Sequence, residues 1–123
     1  MINDNSANKL CTSLLKDVYK ITEADNSLKF FRKDFASRTV WLVILRAHFE
    51  KQTINIESLS RLIAKTSLIS KPTLRLILDN AMHKGYLKFV HSKSDRRSMN
   101  IELEEVTVKE FKEWCFDLKS IFK

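Results

Sequence analysis

The chain has 123 residues, 44% of them hydrophobic, and 22 Lys and Arg against 15 Asp and Glu give it a net charge of +7. That length predicts one domain, or one domain with helical extensions, with a real but not generous core, and the hydrophobic share argues against wholesale disorder. One glycine and one proline leave little material for a many-turned all-β fold, a single glycine forbids a glycine-rich phosphate loop, and a mainly helical chain is favoured.

The charge is unevenly spread. Residues 1–57 carry nine Lys/Arg and seven Asp/Glu, residues 58–100 carry nine and two, and residues 101–123 carry four and six. The excess sits in the central third, as expected of a surface that meets a polyanion. Cys11 and Cys115, without metal-ligand spacing, fit a reducing cytoplasm. No basic segment followed by an apolar run opens the chain, so a secretion signal is not expected. The longest apolar run, VWLVIL at 40–45, is too short to span a bilayer.

In chain order, 5–21 reads as a helix whose stripe is Leu10, Leu14, Val18 and Ile21, with Leu15 beside it. Lys9, Lys16, Asp17 and Lys20 fall off that stripe. A polar turn follows at 22–26. Phe30 and Phe31 interrupt the next basic segment, and the pattern leaves the helical state of 27–33 open. From 36 or 37 to about 51, Val40, Trp41, Ile44, Leu45 and Phe49 are spaced for one broad face. Leu42 and Val43 widen it, which predicts a centrally buried helix. Thr53, Ile54 and Ile56 predict a brief extended segment at 52–56. A short helix at 57–65 points Leu59, Leu62 and Ile63 inward, and a short connection at 66–69 follows.

The next stretch, SKPTLRLILDNAMHKGYLKFVHSKSDRRSMNIEL at 70–103, organises the rest. Leu74, Ile77, Leu78 and Ala81 recur at helical spacing, while Lys71, Thr73, Arg75 and Asn80 fall on other faces. Pro72 is tolerated only in a first turn and pushes Lys71 towards extended backbone, so Ser70 or Lys71 is the cap. Gly85 stands where a left-handed residue ends a helix. Residues 86–91 and 99–103 alternate as two strands of a hairpin, with three cations against one anion in the SKSDRR turn. Two short helices and then a hairpin make a helix-turn-helix with a wing. TVKE at 107–110 predicts a capping box opening a last helix that runs to about 122. Its stripe is Phe111, Trp114, Cys115, Leu118 and Phe122.

With these elements in place, the chain resembles the MarR family of winged helix-turn-helix transcription regulators. KPTLRLILDNAMHKGYL at 71–87 is similar to the family's recognition helix, with Thr73, Leu74, Ile77, Leu78 and Gly85 at the matching positions. DRRSMNIEL at 95–103 is similar to its wing signature, through Asp95, Arg97 and Leu103. Glu104 stands where the family usually has Thr, and Ala81 where it usually has Leu. The chain is shorter than most members and has about the length of the small SarA-like branch. The resemblance spans roughly 40–103.

It implies a mainly α fold with a small antiparallel β wing: a single domain over 1–123, with a winged-helix core at 36–103. The terminal helices, 5–21 and 107–122, would form a homodimer through Leu10, Leu14, Val18, Phe111, Trp114, Leu118 and Phe122. The implied function is sequence-specific binding of double-stranded DNA to regulate transcription. A helix of about 71–85 would enter the major groove, where Ser70, Lys71, Thr73 and Arg75 reach base edges or phosphate. The wing at 92–98 would place Arg96 and Arg97 at the minor groove and Lys93 on phosphate. Asp95 would hold Arg97 through a salt bridge. A small-molecule effector, as many members bind, would be of unknown identity.

Plainer readings stand beside these. The basic helix face can be a solvated surface of a winged-helix interaction module in a replication or transcription assembly, or can bind RNA. The turn can be a plain polar turn. The end helices can simply cap their own domain, and the cysteines can be inert thiols, though pairing of the end helices would permit a redox switch. His48, His83 and His91 lack metal-ligand spacing, no catalytic motif occurs, and neither an enzyme nor a cofactor nor a metal is expected.

Overall fold

The computed structural model describes residues 1–65, 69–94 and 97–122. Six helices and one hairpin follow in the order α1 (Asp4–Glu23), α2 (Ser27–Arg32), α3 (Phe35–Phe49), α4 (Ile56–Ala64), α5 (Lys71–His83), β1 (Leu87–His91), β2 (Met99–Leu103) and α6 (Glu105–Ile121). This is the predicted architecture, a mainly helical chain with a two-stranded antiparallel wing.

The first five helices are each opened by a short polar side chain that takes a backbone N–H of the first turn, which would otherwise lack a partner. Asn3, Asn26, Asp34, Asn55 and Ser70 do this for α1 to α5 in turn. Ser70 is therefore the cap that the proline left open, and Pro72 sits in the first turn. The helix starts of α1, α3 and α4 lie within two residues of their predicted positions.

Residues 27–33 form a helix because of their surroundings. Phe31 is fully buried and stacks on Trp41 at 6.0 Å, and Phe30 meets Phe31 edge-on at 4.9 Å. Ser27, also buried, donates both its N–H (3.1 Å) and its hydroxyl (2.5 Å) to Glu110 of α6. A six-residue helix has little stability alone, so these packing contacts hold it.

Helix α3 is central, as predicted, with Val40, Trp41, Ile44 and Leu45 buried. Its apolar band is narrower than the sequence suggests: Leu42 and Phe49 are exposed. Leu62 of α4, expected inside, is exposed as well, while Leu59 and Ile63 are buried. The α3 C-terminus closes with Gln52 N–H on the Ala47 carbonyl and Lys51 N–H on that of His48. That pattern needs a left-handed residue, and Lys51 supplies it at φ 57°.

Helix α5 ends in the same motif, with Tyr86 N–H on Ala81 and Gly85 N–H on Met82, both 3.0 Å. Here Gly85 takes φ 79° without strain. The wing then pairs Leu87 with Leu103 and His91 with Met99 in one register. Leu87, Ile101 and Leu103 are buried under it. The predicted extended segment is a single bridge between Asn55 and Asn100, with Ile101 N–H on the Ile54 carbonyl at 2.8 Å.

The expected capping box at 107–110 does not form. Helix α6 begins two residues earlier, at Glu105, without a side-chain cap. Thr107 is fully buried and donates its hydroxyl to the Tyr86 carbonyl at 2.6 Å, and Glu110 accepts from Ser27. Both residues tie α6 to other elements, which the reach of a threonine and a glutamate equally allows. Burial raises the Tyr86 phenol above its ordinary pKa, helped by the negative charges of Asp25 and Glu110.

Candidate nucleic-acid interface

The recognition-helix candidate α5 buries Leu74, Ile77, Leu78 and Ala81, the four residues its spacing predicts. Lys71 and Arg75 are exposed and lie one turn apart on one face. Each is already held by an acid. The Lys71 ammonium donates to Glu57 of α4 at 2.7 Å, and Arg75 Nε lies 3.2 Å from Asp79 one turn on. The Lys71 hydrogen bond and charge keep the Glu57 carboxyl below its ordinary pKa. The Arg75 guanidinium also lies 5.5 Å from the centre of the Phe89 ring on β1. Its position joins the helix face to the wing.

Ser70 and Thr73 are exposed but partly occupied by the cap. The Ser70 hydroxyl donates to Thr73 Oγ1 at 2.9 Å and accepts the Thr73 N–H at 3.3 Å. At the wing, Lys93 and Arg97 are exposed. Asp95 and Arg96, and with them the expected Asp95–Arg97 salt bridge, lie outside the described residues, as does the 66–68 part of the connection before α5. The base of the wing is tied to α4 by Asn55, whose amide donates to Ser98 Oγ at 3.1 Å.

Sequence reasoning passed over Leu76. It is 60% exposed in the middle of α5. Its signal was its place outside the periodic set of buried residues, on a helix otherwise so regular.

The terminal helices divide into two parts. Phe111 and Trp114 turn towards their own core, with ring centres 5.4 Å and 5.8 Å from that of Trp41. Helix α1 buries none of its residues, and Leu14, Leu15, Val18 and Tyr19 are all exposed. Phe116 and Phe122 of α6 are exposed too, while Leu10 and Leu118 are half-buried. Cys11 and Cys115 are free thiols. Among the described residues no group of three or more His, Cys, Asp or Glu side chains is placed to hold a metal, and no helix is long and apolar enough to cross a membrane.

No family model and no curated protein matches the sequence. Solved structures do match the fold. The chain is similar to the YusO protein of Bacillus subtilis, with TM-score 0.55 and 16% identity over 99% of this chain and 82% of that one. It is similar to the heme sensor protein PefR of Streptococcus agalactiae, solved with heme, with TM-score 0.57 and 15% identity over 98% and 77%. Wild-type MarR of E. coli gives TM-score 0.51 and 16% identity over 78% and 69%. Of two other regulators, from Methanosarcina mazei and Pseudomonas aeruginosa, the chain spans only 56% and 58% of the length. At these identities the likeness is one of fold, and the chain has the MarR-type winged-helix fold.

Proposed function

We propose that this chain regulates transcription by binding double-stranded DNA as a homodimer. The observation that carries the reading is the pair Lys71 and Arg75. They are exposed on one face of a capped helix, in a winged-helix fold, within the segment that holds the chain's whole charge excess. Helix α5 enters the major groove, with Lys71 and Arg75 exchanging their carboxylate partners for phosphate or guanine. Ser70 and Thr73 present hydroxyls at the same helix end. The wing, with Lys93, Arg96 and Arg97, lies along the adjacent minor groove, and Asp95 steadies Arg97. Helix α1 and the outer end of α6 pair with a second copy through Leu10, Leu14, Val18, Leu118 and Phe122. The apolar side chains that α1 leaves in solvent support this, since a helix with no buried residue has an unspent apolar face. Two copies then present two recognition helices to half-sites about one DNA turn apart.

Selection from a pool of random duplexes, followed by anisotropy titration at several salt concentrations, tests the reading. An enriched pseudo-palindrome is expected, together with affinity that falls steeply as salt rises. Absence of duplex binding at low salt would sink it. Tight binding without any sequence preference would point instead to an interaction module.

A further inference from the structure

On α5 the buried residues Leu74, Ile77, Leu78 and Ala81 define the inward direction. At 100° per residue, the direction opposite to them is a stripe running through Pro72, Leu76, Asp79 and His83, of which Asp79 is half-buried in its ion pair with Arg75 and the others are exposed. Leu76 is its one long aliphatic side chain. It stands close to the outermost line of the helix, with Pro72, Thr73, Asp79 and Asn80 as its neighbours one turn away, and 60% of its surface is in water. An isolated exposed leucine is ordinary on a protein surface. This one occupies the line of a groove-inserted helix that penetrates deepest, where the neighbouring positions carry polar or charged groups.

The floor of the major groove offers one apolar feature, the C5-methyl of thymine. We infer that Leu76 is a specificity-determining residue that packs its δ-methyls on a thymine methyl in each half-site. The inference rests on the DNA-binding reading above and adds to it which base is read without a hydrogen bond. A leucine cannot satisfy the amino group of cytosine or the N7 and O6 of guanine, so those bases at the contacted position leave a polar group facing hydrocarbon. Leu76 thus selects thymine both by the methyl it covers and by the polar edges it rejects. Arg75 and Lys71, further round the helix, supply charge and hydrogen bonds, which the methyl contact cannot.

The probe is the duplex most enriched from the random pool, and the same duplex with each thymine replaced in turn by uracil, which removes only the methyl group. One thymine in each half-site is expected to be sensitive, its replacement weakening binding about fourfold, the effect of one buried methyl. With Leu76→Ala, thymine and uracil duplexes should bind alike. Leu76 is mostly in solvent, so this variant should melt as the parent does, and circular dichroism checks it. The inference is overturned if every uracil duplex binds the parent as tightly as the thymine duplex, or if Leu76→Ala keeps the discrimination. A chain that binds no duplex at all overturns the underlying reading as well, and the two failures are told apart by the parent duplex alone.

Discussion

The indole N–H of Trp114 on α6 donates to Asp17 on α1 at 3.0 Å. The other oxygen of Asp17 takes Arg32 of α2, also at 3.0 Å, and the Arg32 guanidinium lies 4.3 Å from the Trp114 ring. The Asp17 and Arg32 side chains are only 10% and 15% exposed, and Arg32 Nη1 is buried without a hydrogen-bond partner. One carboxylate thus joins three helices, and it is the chief polar anchor of a helix that buries no residue of its own. Removing one partner of such a pair leaves the other charged and desolvated. Asp17→Ala should lower stability by about 3 kcal/mol in urea unfolding. Asp17→Asn, which still accepts the indole N–H, should cost less. Equal midpoints for parent and Asp17→Ala would show that α1 is held by other means.

Thr107 separates a capping role from a tertiary one. Its hydroxyl and the Glu104 N–H both serve the Tyr86 carbonyl, at 2.6 Å and 3.1 Å. Thr107→Val keeps the shape and loses one hydrogen bond, which should cost about 1–2 kcal/mol. Thr107→Asp, a substitution a helix cap would welcome, buries a carboxylate and should cost more than the valine. Reversal of that order in thermal melts would restore the capping role.

Lys51 pays a steric penalty that glycine escapes. At φ 57° its Cβ crowds the backbone, and the turn needs that conformation to close α3. Lys51→Gly should raise stability by about 1 kcal/mol. Circular-dichroism melts read it directly, and a lowered midpoint would mean that the lysine side chain has a compensating contact.

The cations of α5 and the wing, and the acid that holds Lys71, set a further contrast. Arg75→Ala should weaken duplex binding by about tenfold or more, as should Arg97→Ala, with melting temperatures unchanged. Glu57→Gln should act the other way. It frees Lys71 and removes a negative charge from the face proposed to meet phosphate, so binding at low salt should tighten a few-fold and the gain should shrink as salt rises. Tighter binding that ignores salt would mean that the Glu57 charge is not the cause.

Asp34 predicts a pH effect. Accepting the Ser37 N–H at 2.7 Å is the main reason its carboxyl sits below the ordinary aspartate range, with the Ser37 side chain and the charges of Lys33 and Arg38 adding to it. Its folded-state pKa is depressed, so the stability it contributes is present above about pH 4 and is lost as pH falls through the folded value. Asp34→Asn keeps a capping oxygen but cannot titrate. The difference in melting temperature between parent and variant should therefore narrow below about pH 4. A difference constant from neutral pH to about pH 2.5 would assign the capping role to the oxygen alone.

What the sequence by itself determined was written in residues a few positions apart, although not every local pattern held, as the capping box at 107–110 and Leu62 show. The spine of α5, its proline and serine start, its glycine stop and the two strands after it depend on helical period, cap chemistry and alternation, all local rules. Those were enough to place a basic helix before a wing. Tertiary structure decided the rest, because the groups concerned meet across long stretches of chain. Ser27 reaches Glu110 across 83 positions, which makes 27–32 a helix and takes Glu110 away from the expected cap. Trp114 reaches Asp17 across 97, which turns an apparent solvent-facing acid into a half-buried anchor between three helices. Periodicity marks Leu76 as off the core but cannot say that it stands on the outermost line, since that line exists only once the domain has chosen which face of α5 to bury.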